Sequence, residues 1–269
     1  MIKNLRELIK KIRKAGVSKR TQLVLVTVIL SFGLMATQLV SFEDREKMIL
    51  GLSLLTLILS VWAFRENLKG IKWLILLILP PLFSAAVGLF YFLLPVRWLT
   101  RLPFIMLFAL GMYALLLTEN IYNVATERTI GLLKVAQSVG LLVTLIICFL
   151  LIETILSFHL AAFLNFIFTF VFCFLLTLPS LWSVRLGETI KKEIIYGGLI
   201  SLCLGELALI FSFWPVKITM EALFLTTVFY VLVGGTQQYL QGRLFKKAVN
   251  EFLTVFLIVF FLLLLTTTW

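Results

Sequence analysis

Nine apolar stretches, each near the length that crosses a bilayer, follow one another along this sequence with only short polar breaks between them. A spanning helix needs about 20 mainly apolar residues to cross about 30 Å of hydrocarbon. The stretches fall near residues 21–40, 48–64, 71–94, 103–118, 132–152, 159–182, 194–214, 218–236 and 252–269. In lipid every backbone N–H and C=O must pair within the protein, so each stretch is expected to be a helix. The ten-residue alternation of a membrane β-barrel is missing. The expected fold is therefore all-α: a polytopic membrane helix bundle of about nine spans.

Composition supports the same reading. The chain is 61% hydrophobic and 14% charged, with 25 Phe among its 269 residues. A soluble domain is about half apolar and about a quarter charged. This much apolar surface would leave aggregating patches on a protein in water. Two boundaries are less sharply drawn. Residues 103–118 make a short span, although a helix can run on through Glu119 to Val124. The stretch 132–182 is divided only by Glu153, Thr154, Ser157 and His159.

Basic residues orient the bundle. Loops on the cytoplasmic side carry the excess of Lys and Arg. With the N-terminus inside, 19 of the 24 Lys and Arg fall in the inner segments and five in the outer ones. An odd span count then puts the C-terminus outside, in a cell (inner) membrane. The net charge of +11 is thus read as orientation and as attraction to an anionic inner leaflet. Nucleic acid is not expected as a partner, because no loop is long enough to form a docking module.

Residues 1–20 are expected to form a separate element. Ile2, Leu5, Leu8, Ile9 and Ile12 recur at helical spacing, with Lys3, Arg6, Lys10, Arg13 and Lys14 mostly elsewhere. This is the pattern of a basic amphipathic helix lying on the inner leaflet. Residues 21–269 are then one transmembrane domain. The run that opens it is longer than a signal-peptide core and is read as an uncleaved first helix. Within the domain, Pro80-Pro81 predicts a kink in the third span and Pro179 one in the sixth. Pro95, Pro103 and Pro215 are placed at span edges. Trp98, Trp182, Trp214 and Trp269 are placed there too, where indole rings anchor.

Two polar features inside the apolar runs invite a functional reading. Glu206 lies in the middle of the 194–214 stretch, where an ionised carboxylate costs several kcal/mol. It is read as a candidate intramembrane site at the bundle centre, either a proton or cation relay or a neutral carboxyl bonded to a neighbouring helix. The same helix carries Gly197, Ser201 and Gly205 at i, i+4, i+8, a packing face that lets another helix approach closely. The second feature is the cluster Glu119, Asn120, Asn123, Glu127 and Arg128. Helical spacing aligns Glu119, Asn123 and Glu127 on one face at the cytoplasmic end of the fourth span. Such a stripe suits a cation, a headgroup or a partner, and equally a solvated helix end.

Weaker signals complete the list. His159 with Glu153 and Ser157 marks the outer turn between the fifth and sixth spans. Asn165 is placed to bond another helix. Gly234–Gln238 lacks the P-loop lysine spacing and reads as a flexible exit from the eighth span. Gln241–Glu251 reads as a second basic interfacial helix. Cys148, Cys173 and Cys203 lie in apolar runs without ligand spacing, so no metal site, cofactor or disulfide framework is expected. HExxH, GxSxG and Walker A patterns do not occur, and no set of catalytic residues is identified.

The stretches Thr118–Leu133 (TENIYNVATERTIGLL) and Gly234–Phe245 (GGTQQYLQGRLF) resemble an uncharacterised family of multi-pass membrane proteins from small-genome, uncultured bacteria. The resemblance implies a bacterial inner-membrane protein of unknown function and transfers no residue role. Three functions remain in competition: a transporter-like or lipid-handling protein, a structural or accessory subunit of a membrane complex, and a membrane enzyme on a lipid-linked substrate. The first needs Glu206 to face a cavity. The second needs a membrane protein partner. The third needs Glu119, Asn120, Asn123 and Arg128 to converge.

Overall fold

The computed structural model describes residues 18–37, 44–64, 72–93, 98–126, 131–187 and 189–267. The basic segment 1–17, Glu127, Arg128 and Trp269 fall outside the described residues. Ten helices account for almost all of the rest: α1 (Lys19–Thr37), α2 (Arg45–Phe64), α3 (Lys72–Leu76), α4 (Leu79–Tyr91), α5 (Trp98–Ala125), α6 (Leu133–Ser157), α7 (Ala162–Arg185), α8 (Lys191–Phe211), α9 (Ile218–Leu240) and α10 (Lys246–Thr266). α3 and α4 together make one span. Among the described residues, nine helices are thus long and apolar enough to cross a membrane.

Hydrogen bonds between helix ends fix the alternation of direction. At the end where α1 begins, called here the near end, the Lys19 ammonium donates to the Ala63 carbonyl of α2. There too Lys72 of α3 donates to Thr126 after α5, Gln137 of α6 to the Ser183 carbonyl of α7, and Gln237 of α9 to the Ser180 carbonyl. At the far end Asn165 of α7 donates to Ser212 after α8, and Thr219 of α9 to Glu153 of α6. Asn165 thereby makes the interhelical bond that its place in the sequence suggests.

α6 is central, touching α4, α5, α7 and α9. Its most apolar window is 56% buried, against 6% for the peripheral α10. The closest pair is α7 with α8. Phe166, Phe170 and Phe174 stack along one face of α7 at centroid spacings of 6.3 Å. Gly197, Ser201 and Gly205 run along the facing side of α8, all buried. A Cβ on Gly205 would come within 3.2 Å of the Phe166 carbonyl oxygen. The lack of a side chain is what lets the two backbones approach.

Several local expectations change. The third span is broken, not merely kinked: α3 stops at Leu76 and α4 restarts at Leu79, with proline in its first turn. Pro80 and Pro81 lack the N–H groups that would pair with the Leu76 and Leu77 carbonyls. α5 runs on to Ala125 through the polar residues because the bundle buries Thr118, Glu119 and Asn123. Pro103 is therefore inside a helix. Trp182 is no interfacial anchor. It is 1% exposed and its indole N–H donates to the Gly187 carbonyl, pinning the turn that follows α7. Gly234–Gln238 is helical, because α9 continues to Leu240 with Gly234 against Phe252. The stretch 241–245 is a turn, and the helix after it is α10 itself.

Candidate functional site

The cluster read on the fourth span is pulled into the bundle. Glu119 is 2% exposed and Asn123 is 3% exposed. They occupy successive turns of α5 but meet different neighbours. Asn123 donates to the Phe64 carbonyl at the end of α2. Its side-chain oxygen Oδ1 is buried without a partner among the described residues. Glu119 lines a small cavity of about 10 Å³ with mixed polar and apolar walls, room for about one water molecule. Asn120 is half-buried and does not line that cavity. The convergence of Glu119, Asn120, Asn123 and Arg128 required by an enzyme is therefore missing where it is visible, since Arg128 lies outside the described residues.

The rest of the cavity comes from α5 itself and from three other helices. α4 contributes Leu79 at the helix break, and α5 adds Tyr122. α6 contributes Gly140, Leu141 and Thr144. α7 contributes Pro179, Ser180 and Ser183. Each contribution has a local cause. Gly140 is bare because a Cβ there would lie 2.5 Å from the Tyr122 hydroxyl. That hydroxyl donates to the Ala136 carbonyl at 2.9 Å, tying α5 to α6. The Ser180 and Ser183 carbonyls accept from Gln237 and Gln137, so α7 is held from both sides.

The hydroxyl protons around the cavity are already committed. Thr144 donates to the Gly140 carbonyl and Ser183 to the Ser180 carbonyl. Ser180 donates to Thr144 Oγ1 through a long 3.4 Å contact. What remains exposed to the cavity is oxygen lone pairs. The Glu119 carboxyl has no hydrogen-bond partner among the described residues. Glu119 is six residues from the end of α5, which places it ~9 Å inside the near end at 1.5 Å per residue.

A second cavity lies farther along three of the same helices. It measures about 260 Å³ and is lined by Phe83 and Val87 of α4, Phe104, Leu107, Phe108 and Gly111 of α5, and Val143, Ile146 and Leu150 of α6. Every lining side chain is apolar. Leu107 and Ile146 at its edge are 66% and 45% exposed, so the cavity opens sideways, toward the surrounding solvent of the bundle.

Glu206 is elsewhere. It is exposed on the outward face of α8, among Ile195, Leu199, Leu202, Cys203 and Ile210, which are exposed with it. The reading that put it at the bundle centre is corrected: α8 turns Gly197, Ser201 and Gly205 toward α7, and Glu206 lies about 100° round from Gly205. At the far end, Glu153 accepts from Thr219. His159 is exposed in a left-handed turn with φ of +48°. Glu221, which the sequence reading did not single out, is 6% exposed at the start of α9. Glu193, also missed, is 1% exposed and accepts from Arg185 at 3.2 Å. The signal for both was an acid in the first turn of a helix, a common capping position.

Among the described residues no group of three or more His, Cys, Asp and Glu could hold a metal ion. No curated protein and no solved structure matches the chain. A family model does match, over residues 57–266, and its description is a protein of unknown function, DUF5656. The match takes in both stretches that carried the resemblance, and with it most of the bundle from α2 through α10: the chain belongs to the DUF5656 family.

Proposed function

We propose that this protein is a lipid-handling membrane protein that takes an acyl chain into the cavity between α4, α5 and α6. The observation that carries the reading is that cavity itself: about 260 Å³, apolar throughout and open to the side. An apolar void of this kind does not hold water, because water finds no hydrogen-bond partners in it. Left empty, it would forfeit the dispersion contacts of its whole lining. In a bilayer the species at its mouth is an acyl chain. Solute transport is less well supported, because the small cavity beside Glu119 has room for about one water molecule. The near end collects Lys19, Lys72, Lys134, Arg185, Lys191 and Lys246, and we place it in the cytoplasm of a bacterial inner membrane on the charge rule.

The test is photo-crosslinking with a phospholipid bearing a diazirine in its acyl chain, with adducts mapped by mass spectrometry. Adducts are expected to concentrate on Leu107, Ile146 and Leu150. They should be lost in Leu107→Trp and Ile146→Trp, which plug the mouth from exposed positions. Adducts spread evenly over the outward face, including Leu253 and Leu257 of α10, would reject the reading.

A second reading, an accessory subunit of a membrane assembly, is favoured by the outward position of Glu206. A carboxyl facing lipid at mid-span is costly whether ionised or protonated. A partner helix on that face would relieve it. Cys203, exposed one turn away, is a natural handle: maleimide crosslinking in native membranes is expected to capture a neighbour there. Labelling with no crosslinked product would remove the reading.

A further inference from the structure

We infer that the cavity beside Glu119 is a binding site for a single bare monovalent cation no larger than a water molecule. This goes beyond acyl-chain binding and does not depend on it. The inference begins with the hydrogen-bond inventory. A cavity meant for water normally offers both donors and acceptors, since water has two protons and two lone pairs to place. Here Tyr122, Thr144, Ser180 and Ser183 each spend their one proton on another oxygen. A hydroxyl has one proton and two lone pairs, so each has acceptor capacity left and no donor. Glu119 adds a carboxyl that is 2% exposed and unpartnered among the described residues. With Glu119 ionised, as a bound cation would hold it, the site presents oxygen acceptors only.

Oxygen-only sites are the chemistry of hard cations. The charge selects the valence. One carboxylate faces the cavity, so one positive charge neutralises it, and in a medium of low dielectric a residual charge is expensive. The size bounds the ion, because about 10 Å³ has room for one bare ion no larger than a water molecule and none for a hydrated one.

The experiment is thermal unfolding of the full chain in nanodiscs, in sodium, potassium and N-methylglucamine chloride at equal ionic strength. A ligand that binds only the folded state raises Tm with the logarithm of its concentration. Sodium and potassium, both of which fit, are expected to raise Tm in this way, and N-methylglucamine not at all. Glu119→Gln should abolish the sodium dependence. Ser180→Ala and Thr144→Val should each shift its midpoint to about tenfold higher sodium or more. Equal Tm in the three salts would overturn the inference and leave water as the occupant. A sodium effect that persists in Glu119→Gln would overturn it as well. If Glu119→Gln does not fold, Ser180→Ala decides: an unshifted midpoint overturns the site.

Discussion

Glu119 on α5 and Glu206 on α8 are both acids set within apolar helices, yet the bundle encloses one and turns the other outward. Glu119 is 2% exposed among three other helices, while Glu206 is exposed on the rim. The neighbours explain the contrast. Around Glu119 the helices are joined by polar bonds from Gln137, Gln237 and Tyr122, and a bare Gly140 admits the Tyr122 ring. Around Glu206 the face is apolar, and the small residues of α8 are used up against α7. An acid at mid-helix therefore does not by itself mark the inside of a membrane bundle. What marks it is a set of small and amide residues on the helices that must close over it.

The largest effect expected from this contrast is at Gly140. In Gly140→Ala the new methyl would meet the Tyr122 hydroxyl at 2.5 Å and the Thr118 methyl at 3.2 Å. Tyr122 must move, and its bond to Ala136 goes with it. Overpacking of this kind costs about 1–3 kcal/mol. The loss should appear as a lower unfolding midpoint in mild detergent. An unchanged midpoint would mean that the α5–α6 contact is looser than drawn.

Next comes Gln237→Leu. It removes the bond to the Ser180 carbonyl at 2.8 Å while keeping much of the side-chain volume. Interhelical hydrogen bonds in membranes are worth about 0.6 kcal/mol on average and at most about 2. A destabilisation in that range is expected. It should be accompanied by weaker sodium dependence, because Ser180 lines the cavity. Lost stability with an unaltered sodium midpoint would separate the bundle's polar lock from the cavity.

The sequence shows one part of this contrast and hides the other. The nine spans are legible because their length and apolar content answer directly to bilayer thickness. The Glu119–Asn123 stripe is legible from its i, i+4 spacing, and the α8 ladder from Gly197, Ser201 and Gly205. Which way each helix faces is not legible. A soluble helix shows an apolar stripe toward its core, but in lipid both faces are apolar and the stripe disappears. Hence Glu206 reads as central when it is peripheral. Thr144, Ser180 and Ser183 were passed over for a related reason. Hydroxyls in apolar helices ordinarily bond the carbonyl three or four residues back, as Thr144 and Ser183 do here, and only the fold reveals that they line one cavity.

At Glu206 itself the expected effect on the fold is small and the effect on assembly large. Glu206→Leu should leave the unfolding midpoint of the isolated chain within about 0.5 kcal/mol, as for an exposed position away from packing. The same variant should lose any Cys203 crosslink to a neighbour. A loss of several kcal/mol in the isolated chain would show that Glu206 is enclosed after all, and would erase the contrast with Glu119.

The smallest effect tests the outward face without touching its charge. Gly198 is on α8, one residue from the buried Gly197, and nothing lies within 4 Å of a Cβ built on it. Gly198→Ala is expected to be neutral or to stabilise the isolated chain by a few tenths of a kcal/mol, since alanine restricts the unfolded chain and favours the helix. Glu206 lies eight residues on, about 80° round the helix from Gly198, so a partner helix seated over Glu206 reaches the edge of that open position. Comparing Gly198→Ala with a bulkier Gly198→Leu by crosslinking at Cys203 locates the partner's edge. If neither changes the crosslink, the partner leans toward Ile195 and Leu199. If the leucine alone abolishes it, the partner covers Gly198 and its backbone comes close to α8.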